Sequence, residues 1–178
     1  GKKVIWFEAV PHIFDQLKDN LYFYSDQKAF HVLLGDQDNI KKDFFISNND
    51  SASSSLFNFT NEIIEKGLKG RKLYMEKKIT LKMFTLDTIL KKNNISPEEY
   101  NHWVVDLQGS ELLAFKGAED ALKSCNSISV EVSKVQYYEG GVLWNELVNW
   151  LNEKNFYSNL VSPEKNHTDI LFKKKNVK

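Results

Sequence analysis

At 178 residues, 42% hydrophobic and 13% aromatic, the chain is about one domain's worth, able to bury a core and too apolar to stay disordered. Lys+Arg and Asp+Glu balance at 24 each, which argues against a generic nucleic-acid surface, because nonspecific affinity for phosphates scales with excess positive charge. The single cysteine, Cys125, excludes an internal disulfide framework, and no apolar run approaches the roughly 18 residues of a membrane span, so the expectation is a soluble cytoplasmic domain of open oligomeric state.

The chain opens with GKKVIWFEAVP, without an initiator methionine or a signal-peptide pattern, and is read as a fragment. Val4 to Phe7 is a short apolar run ending at Glu8. Pro11 stands where a first helical position belongs, and Ile13, Phe14, Leu17 and Leu21 follow at helical spacing. KAFHVLLGD (28–36) reads as a second strand stopped by Gly35 and Asp36. DQDN is then a turn into DFFISNN, a hairpin-like strand. Residues 47–70 read as a loop-like middle, where serine and asparagine side chains compete for backbone hydrogen bonds.

KLYMEKKITLKMF (72–84) alternates like one long strand or a bent pair, and Thr85 can cap a short helix, LDTILKKN. Ser96-Pro97-Glu98-Glu99 has the form of a capping box with proline at the first helical position. HWVVDLQGSELLAFKGAEDAL then predicts a strand over 102–107 and a helix over 109–123 that buries Leu112, Phe115, Ala118 and Leu122. SISVEVS (127–133) is a further strand. A helix follows with Leu143, Trp144, Leu147, Val148 and Leu151 on one face. NFYSNLV and TDILFKK close the chain as two strands with no convincing helix between them. Helices alternating with short β-branched strands predict an α/β domain over residues 1–178, its sheet mostly parallel with an antiparallel C-terminal edge.

Four apolar strands carry an acid at or near their C-terminal end: Glu8, Asp36, Asp106 and Glu131. If the strands run parallel, these carboxylates meet on the rim where α/β sheets bind ligands. There they can accept hydrogen bonds from sugar hydroxyls or attract a cation. The plainer alternative is that each acid begins a loop or caps the next helix. Other chemistries find little support. The histidines (12, 31, 102 and 167) show no paired ligand spacing, and there is no G-x-S-x-G, G-x-G-x-x-G or P-loop. Trp144 and Trp150 lie on an amphipathic helix and read as core.

The pattern E-x-x-P-x-x-F-x-x-L-x-x-N (Glu8, Pro11, Phe14, Leu17, Asn20) is similar to the second strand and helix of FkbM-type methyltransferases. SSSL at 53–56, TLDTIL at 85–90, D-L-Q-G-S-E at 106–111 followed by LLAFKGA, SVEV at 129–132, YYEGG and TDILFKK extend the resemblance over nearly the whole chain. The resemblance implies a Rossmann-like class I methyltransferase fold, with S-adenosylmethionine as the cofactor and a hydroxyl of a sugar, glycan or related metabolite as the acceptor. Glu8, with Ala9 beside it, would meet the ribose hydroxyls. Asp36 and Gln37 would lie near the adenine. Asp106 would sit beside the methionine end of the cofactor and act as a base toward the acceptor. Ser54, Gln108, Glu131 and Tyr138 would form the acceptor side.

Two departures from the family pattern are tolerable: Ala9 where proline is frequent, and Gln108 where glutamate is common. A larger one is the lack of a glycine-rich strand and loop ahead of Glu8, so the first strand of the sheet is expected to be missing. The alternatives from other classes are a non-catalytic interaction domain on the same scaffold and a metal-dependent hydrolase.

Overall fold

A computed structural model describes residues 2–67 and 70–175. The chain is an α/β fold with five α-helices and nine strands among the described residues, and the strands form three sheets instead of one. β1 (Val4–Glu8) pairs in parallel with β2 (Gln27–His31). Helix α1 (Pro11–Leu21) crosses between them, with Pro11 at its first turn as expected. Its apolar face is only partly covered, and Phe14 stacks on His31 with ring centroids 5.0 Å apart.

The run 28–36 does not continue as one strand. It breaks at Val32, and β3 (Leu33–Leu34) joins a second sheet, where it pairs in parallel with β5 (Met75–Phe84). β5 also pairs antiparallel with β4 (Ile40–Ser47), from Ile40 opposite Met83 to Ser47 opposite Met75. Part of the loop-like middle is ordered as helix α2 (Asn61–Lys66), closed by Gly67 at φ 66°. Helix α3 (Leu86–Lys92) begins at Thr85, whose hydroxyl accepts the Thr88 N–H as its residue type predicts.

The third sheet has the order β6–β7–β9–β8. β6 (His102–Val105) is parallel to β7 (Ser127–Ser133), and β9 (His167–Lys174) lies antiparallel between β7 and the short β8 (Phe156–Tyr157). Three of the six strand pairings are therefore antiparallel, and the expectation of a mostly parallel sheet is corrected to a mixed one. The antiparallel C-terminal edge is present. On β7 the alternation places Ile128, Val130 and Val132 in the main core, while Glu131 and Ser133 take the other face. Helix α5 (Trp144–Glu153) covers that core with Trp144, Leu147 and Leu151, joined by Phe156 and Phe172. Each such side chain removed from water contributes about 1.5–3 kcal/mol. Trp144 is therefore core, and Trp150 stacks on Phe115 at its margin.

Two expectations along 96–124 change. Ser96 makes no capping hydrogen bond to the backbone; its hydroxyl meets Glu98, and only a single 3-10 turn forms at Pro97–Glu99. The helix predicted over 109–123 is α4 (Glu111–Lys116) alone, followed by a separate 3-10 turn at Ala121–Ser124. Leu112, Phe115, Ala118 and Leu122 are nevertheless all buried. The break has a packing reason. A Cβ on Gly117 would stand 1.9 Å from the carbonyl oxygen of Gly35, so the two backbones touch where α4 ends. Cys125 is enclosed in the core, and burial pushes its thiol up to about 12. No helix among the described residues is long and apolar enough to cross a membrane.

Gly117→Ala is expected to destabilise the protein by about 1–3 kcal/mol, the usual cost of forcing extra volume into a packed site. The measurement is the urea midpoint at unchanged slope, and an unchanged midpoint would show that the Gly35–Gly117 contact is slack.

Candidate active site

The residues that end β1 and follow β6, Glu8 and Asp106, line one cavity. Just beyond Val105 the chain leaves extended structure, and Gln108 (φ 51°) and Gly109 (φ 96°) take left-handed conformations before α4 begins. Glycine suits that geometry, and Gly109 also lies close to Gly141 and Tyr138, where a Cβ would meet the Gly141 Cα at 3.2 Å. Gln108 adopts the same region at a cost of order 1–3 kcal/mol, so its surroundings must hold it there. They do: the Ser55 hydroxyl donates to the Gln108 carbonyl oxygen at 2.7 Å.

The Gln108 side chain joins the acids of two strands. Its Nε2 donates to Asp106 Oδ1 and, at 2.7 Å, to Glu131 Oε2, while its Oε1 accepts from the Tyr138 hydroxyl. Tyr138 Oη also lies 3.2 Å from the Ser53 carbonyl oxygen. These partners fix the orientation of the amide, because only its NH2 end can serve two carboxylates. On the other side of Glu131, His167 Nε2 lies 2.7 Å from Oε1. His167 stands opposite Ser133 in the β7–β9 ladder, a diagonal neighbour of Glu131.

Beneath this pair lies Glu111, 3% exposed, whose Oε1 accepts the backbone N–H groups of Leu107 and Gly109 at 3.0 and 3.1 Å. It holds the turn that carries Gln108. One carboxylate oxygen from each of Asp106, Glu111 and Glu131 falls within 4.8 Å of the others. Such an acidic group resembles a cation site, but here the Gln108 amide already donates to Asp106 and Glu131 together, and His167 meets the other oxygen of Glu131. The geometry is that of a hydrogen-bonded network.

Crowded acids cannot all ionise near neutrality. The protein packed around Asp106 raises its pKa to about 6, and the Glu131 charge adds to this, although the side chain is open to solvent on the cavity side. Burial alone would push Glu131 up as well, but hydrogen bonds from His167, Asp106 and Gln108, with the His167 charge, hold it below the usual carboxylate range. His167 is raised by the same contact, against its own burial. Burial pushes Glu111 up to about 7, and the backbone N–H groups only partly offset this.

Two cavities adjoin the network. The larger, about 260 Å³, is walled by Glu8 at the end of β1 with Ala9 and Val10 after it, by Leu33 and Leu34, by Asp50, Ser51 and Ser54, and by Asp106, Gln108 and Ser110. Its lining holds apolar side chains and the carboxylates of Glu8, Asp50 and Asp106, and no Lys, Arg or His among the described residues. The smaller, about 20 Å³, has room for one water. It lies behind Gly109, between Glu131, Tyr138 and His167.

The expected site residues are thus partly brought together. Glu8, Ala9, Ser54, Asp106 and Gln108 line the larger cavity, and Glu131 and Tyr138 reach it through the Gln108 amide. Asp36 and Gln37 do not line it. In their turn it is Asp38 that is engaged, accepting from Thr85 and Thr88 at the start of α3. The capping alternative holds for part of Glu8, since its Oε1 accepts the Val10 N–H at 2.7 Å. Ser54 also has a structural partner, taking the Ser47 N–H at 3.1 Å. Two members of the network, Glu111 and His167, were not predicted. Glu111 is the last residue of D-L-Q-G-S-E, where an acid at the first turn of a helix looks like an ordinary dipole partner. His167 carries no local signal, because only the β7–β9 register brings it to Glu131.

The site is thus a cavity lined by acids and apolar side chains on an α/β scaffold, where residues at the ends of β1 and β6 meet. The methyltransferase FkbM domain matches residues 1–157, and the chain belongs to that methyltransferase family. No curated protein and no solved structure matches it. β9, with His167, lies beyond the matched residues.

The raised carboxyls set the pH dependence of folding. A buried acid that stays protonated in the fold but ionises when unfolded loses stability as pH rises from its unfolded pKa to its folded one. For Glu111 that window runs from about pH 4.5 to about 7 and is worth on the order of 3 kcal/mol. Glu111→Gln keeps an acceptor for Leu107 and Gly109 without the charge. Its urea midpoint should fall much less than the wild type's between pH 5 and pH 8. Parallel curves for the two proteins would mean that Glu111 ionises freely in the fold.

Proposed function

We propose that the protein is an S-adenosylmethionine-dependent methyltransferase that methylates a hydroxyl oxygen of a neutral sugar or related metabolite. The observation that carries this reading is the cavity of about 260 Å³, with Glu8 and Asp106 both in its wall and no basic side chain in its lining among the described residues. S-adenosylmethionine supplies an electrophilic methyl group on a sulfonium cation. The chemistry of the lining fits such a ligand. Carboxylates favour a cation and accept from ribose hydroxyls, and Phe7, Val32, Leu33 and Phe44 offer an apolar wall for a purine. Glu8 would hold the ribose, with its carboxylate oriented by the Val10 N–H.

The reaction forms a C–O bond as the methyl C–S bond breaks, and the hydroxyl proton must leave. Asp106 is the group proposed to receive it. A base whose pKa stands at about 6 is better matched to neutral pH than an ordinary aspartate. Most of the rate would come from positioning the hydroxyl in line with the methyl group. In this reading the β1–β2 pair and the β6–β7–β9–β8 sheet are parts of one class I methyltransferase sheet within a single domain. The open edges of β1 and β6, where Trp6 is 44% and Val104 78% exposed, would then be the seat of a further strand. Asp36 and Gln37 would approach the adenine from the turn after β3.

S-adenosylhomocysteine should raise the melting temperature, and Glu8→Gln should weaken its binding about tenfold, the loss expected for one hydrogen bond to a charged acceptor. Asp106→Asn should leave the melting temperature undiminished. It should lower tritiated-methyl transfer to a panel of neutral mono- and disaccharides by about 100-fold or more. Equal transfer by Asp106→Asn would remove the base from the account. Stabilisation by magnesium or manganese in place of the nucleoside would favour a hydrolase, and no stabilisation by any of them a non-catalytic domain.

A further inference from the structure

The Asp106–Glu131 pair is asymmetric in its surroundings. Asp106 stands on the wall of the large cavity, whereas Glu131 is turned inward and bound at both oxygens, Oε2 by Gln108 and Oε1 by His167. The hydrogen-bond donors thus fall mainly on Glu131. Every other titratable group facing the pair is an acid: Glu111 on α4, Asp169 on β9 and the Tyr138 hydroxyl. Tyr137 meets His167 only through its ring, edge-on at 5.3 Å. His167 is therefore the one basic side chain in contact with the network among the described residues. Its second nitrogen, Nδ1, is buried without a hydrogen-bond partner there, so Glu131 is what orients the ring.

We infer that His167 is the positioning residue of this site: seated on the inner oxygen of Glu131, it fixes Glu131 as the permanent anion of the pair, so that the exchangeable proton resides on Asp106 at the cavity wall. The inference rests on the methyl-transfer reading for its use, since it explains why Asp106 and not Glu131 takes the acceptor's proton. It does not depend on that reading for its test. It also gives β9, which lies beyond the matched family domain, a part in the site.

The direction follows from charge. Near pH 6 the imidazole is protonated, because contact with Glu131 raises its pKa above the ordinary 6.5. Its positive charge favours loss of a proton from the pair. Removing it must move the pair's upper titration step to higher pH, by about one unit for a cation this close to one member. His167→Gln keeps an N–H donor for Glu131 and removes the charge, and His167→Lys restores a cation on a different frame.

The experiment is a carboxyl-carbon NMR titration of the unliganded protein from about pH 4 to about pH 9, a span that covers both steps of the pair, with both variants alongside. In the wild type Glu131 should ionise first and Asp106 at the upper step. In His167→Gln the upper step should move up by about one unit, and in His167→Lys it should return toward the wild-type value. Asp106 ionising before Glu131 in the wild type would overturn the inference without any variant. An unmoved step in His167→Gln, or a shift that His167→Lys does not reverse, would also overturn it. If the step moves as expected while S-adenosylhomocysteine fails to bind, the methyltransferase reading falls and the role of His167 in the pair stands.

Discussion

The site depends on one side-chain amide. Gln108 donates from a single nitrogen to carboxylates on two neighbouring strands and accepts at its oxygen from Tyr138, which ties β6, β7 and the segment before α5 together at the cavity. Two acids brought this close repel one another, and an unpaired buried carboxylate costs several kcal/mol. The amide offsets part of that cost, and His167 and a proton offset the rest. The left-handed backbone at Gln108 and Gly109 is what aims the amide inward. That backbone is held from two directions, by the Ser55 hydroxyl on its carbonyl and by Glu111 beneath the turn. A strained turn held by otherwise unneeded polar contacts is the kind of arrangement that persists where function requires it.

The scaffold supplies the precision. Buried aromatic and aliphatic residues under β7 clamp α4 and α5 to the third sheet, so the strand end carrying Asp106 cannot drift relative to Glu131. The close contact of Gly35 with Gly117 brings the turn after β3 against the end of α4. The serine-rich segment is bound to the same centre. Ser47, Asn49, Ser53 and Ser54 bond to one another, and Ser55 reaches across to Gln108. That segment contributes Asp50, Ser51 and Ser54 to the cavity wall as a fixed loop.

Much of this was readable from the residues, and the failures are instructive. Hydrophobic spacing and proline position located β1, α1, β7 and α5, because in each the signal lies within the element's own residues. Composition could not show that 28–36 changes sheets at Val32, or that the long helix after Gly109 stops at Gly117. Both depend on contacts with segments far away in sequence. The same distinction runs through the site. Glu8 and Asp106 announce themselves as acids that terminate apolar strands. Asp36 has the same appearance but does not line the cavity, because β3 presents Leu33 and Leu34 to it and the turn that follows carries Asp36 outside the lining. His167 is silent in sequence and becomes meaningful only through the antiparallel register that sets it diagonal to Glu131.

The central claim is that one cavity, bounded by the ends of β1 and β6, receives the methyl donor. Backbone amide NMR with S-adenosylmethionine added to the protein tests it most directly. The account predicts that the shifts concentrate at Glu8–Val10, at Leu33 and Leu34, and at the turn from Leu107 to Ser110, the residues that wall the cavity. Shifts confined to another surface, such as the exposed Tyr22 and Phe23 after α1, or no shifts at all, would contradict it.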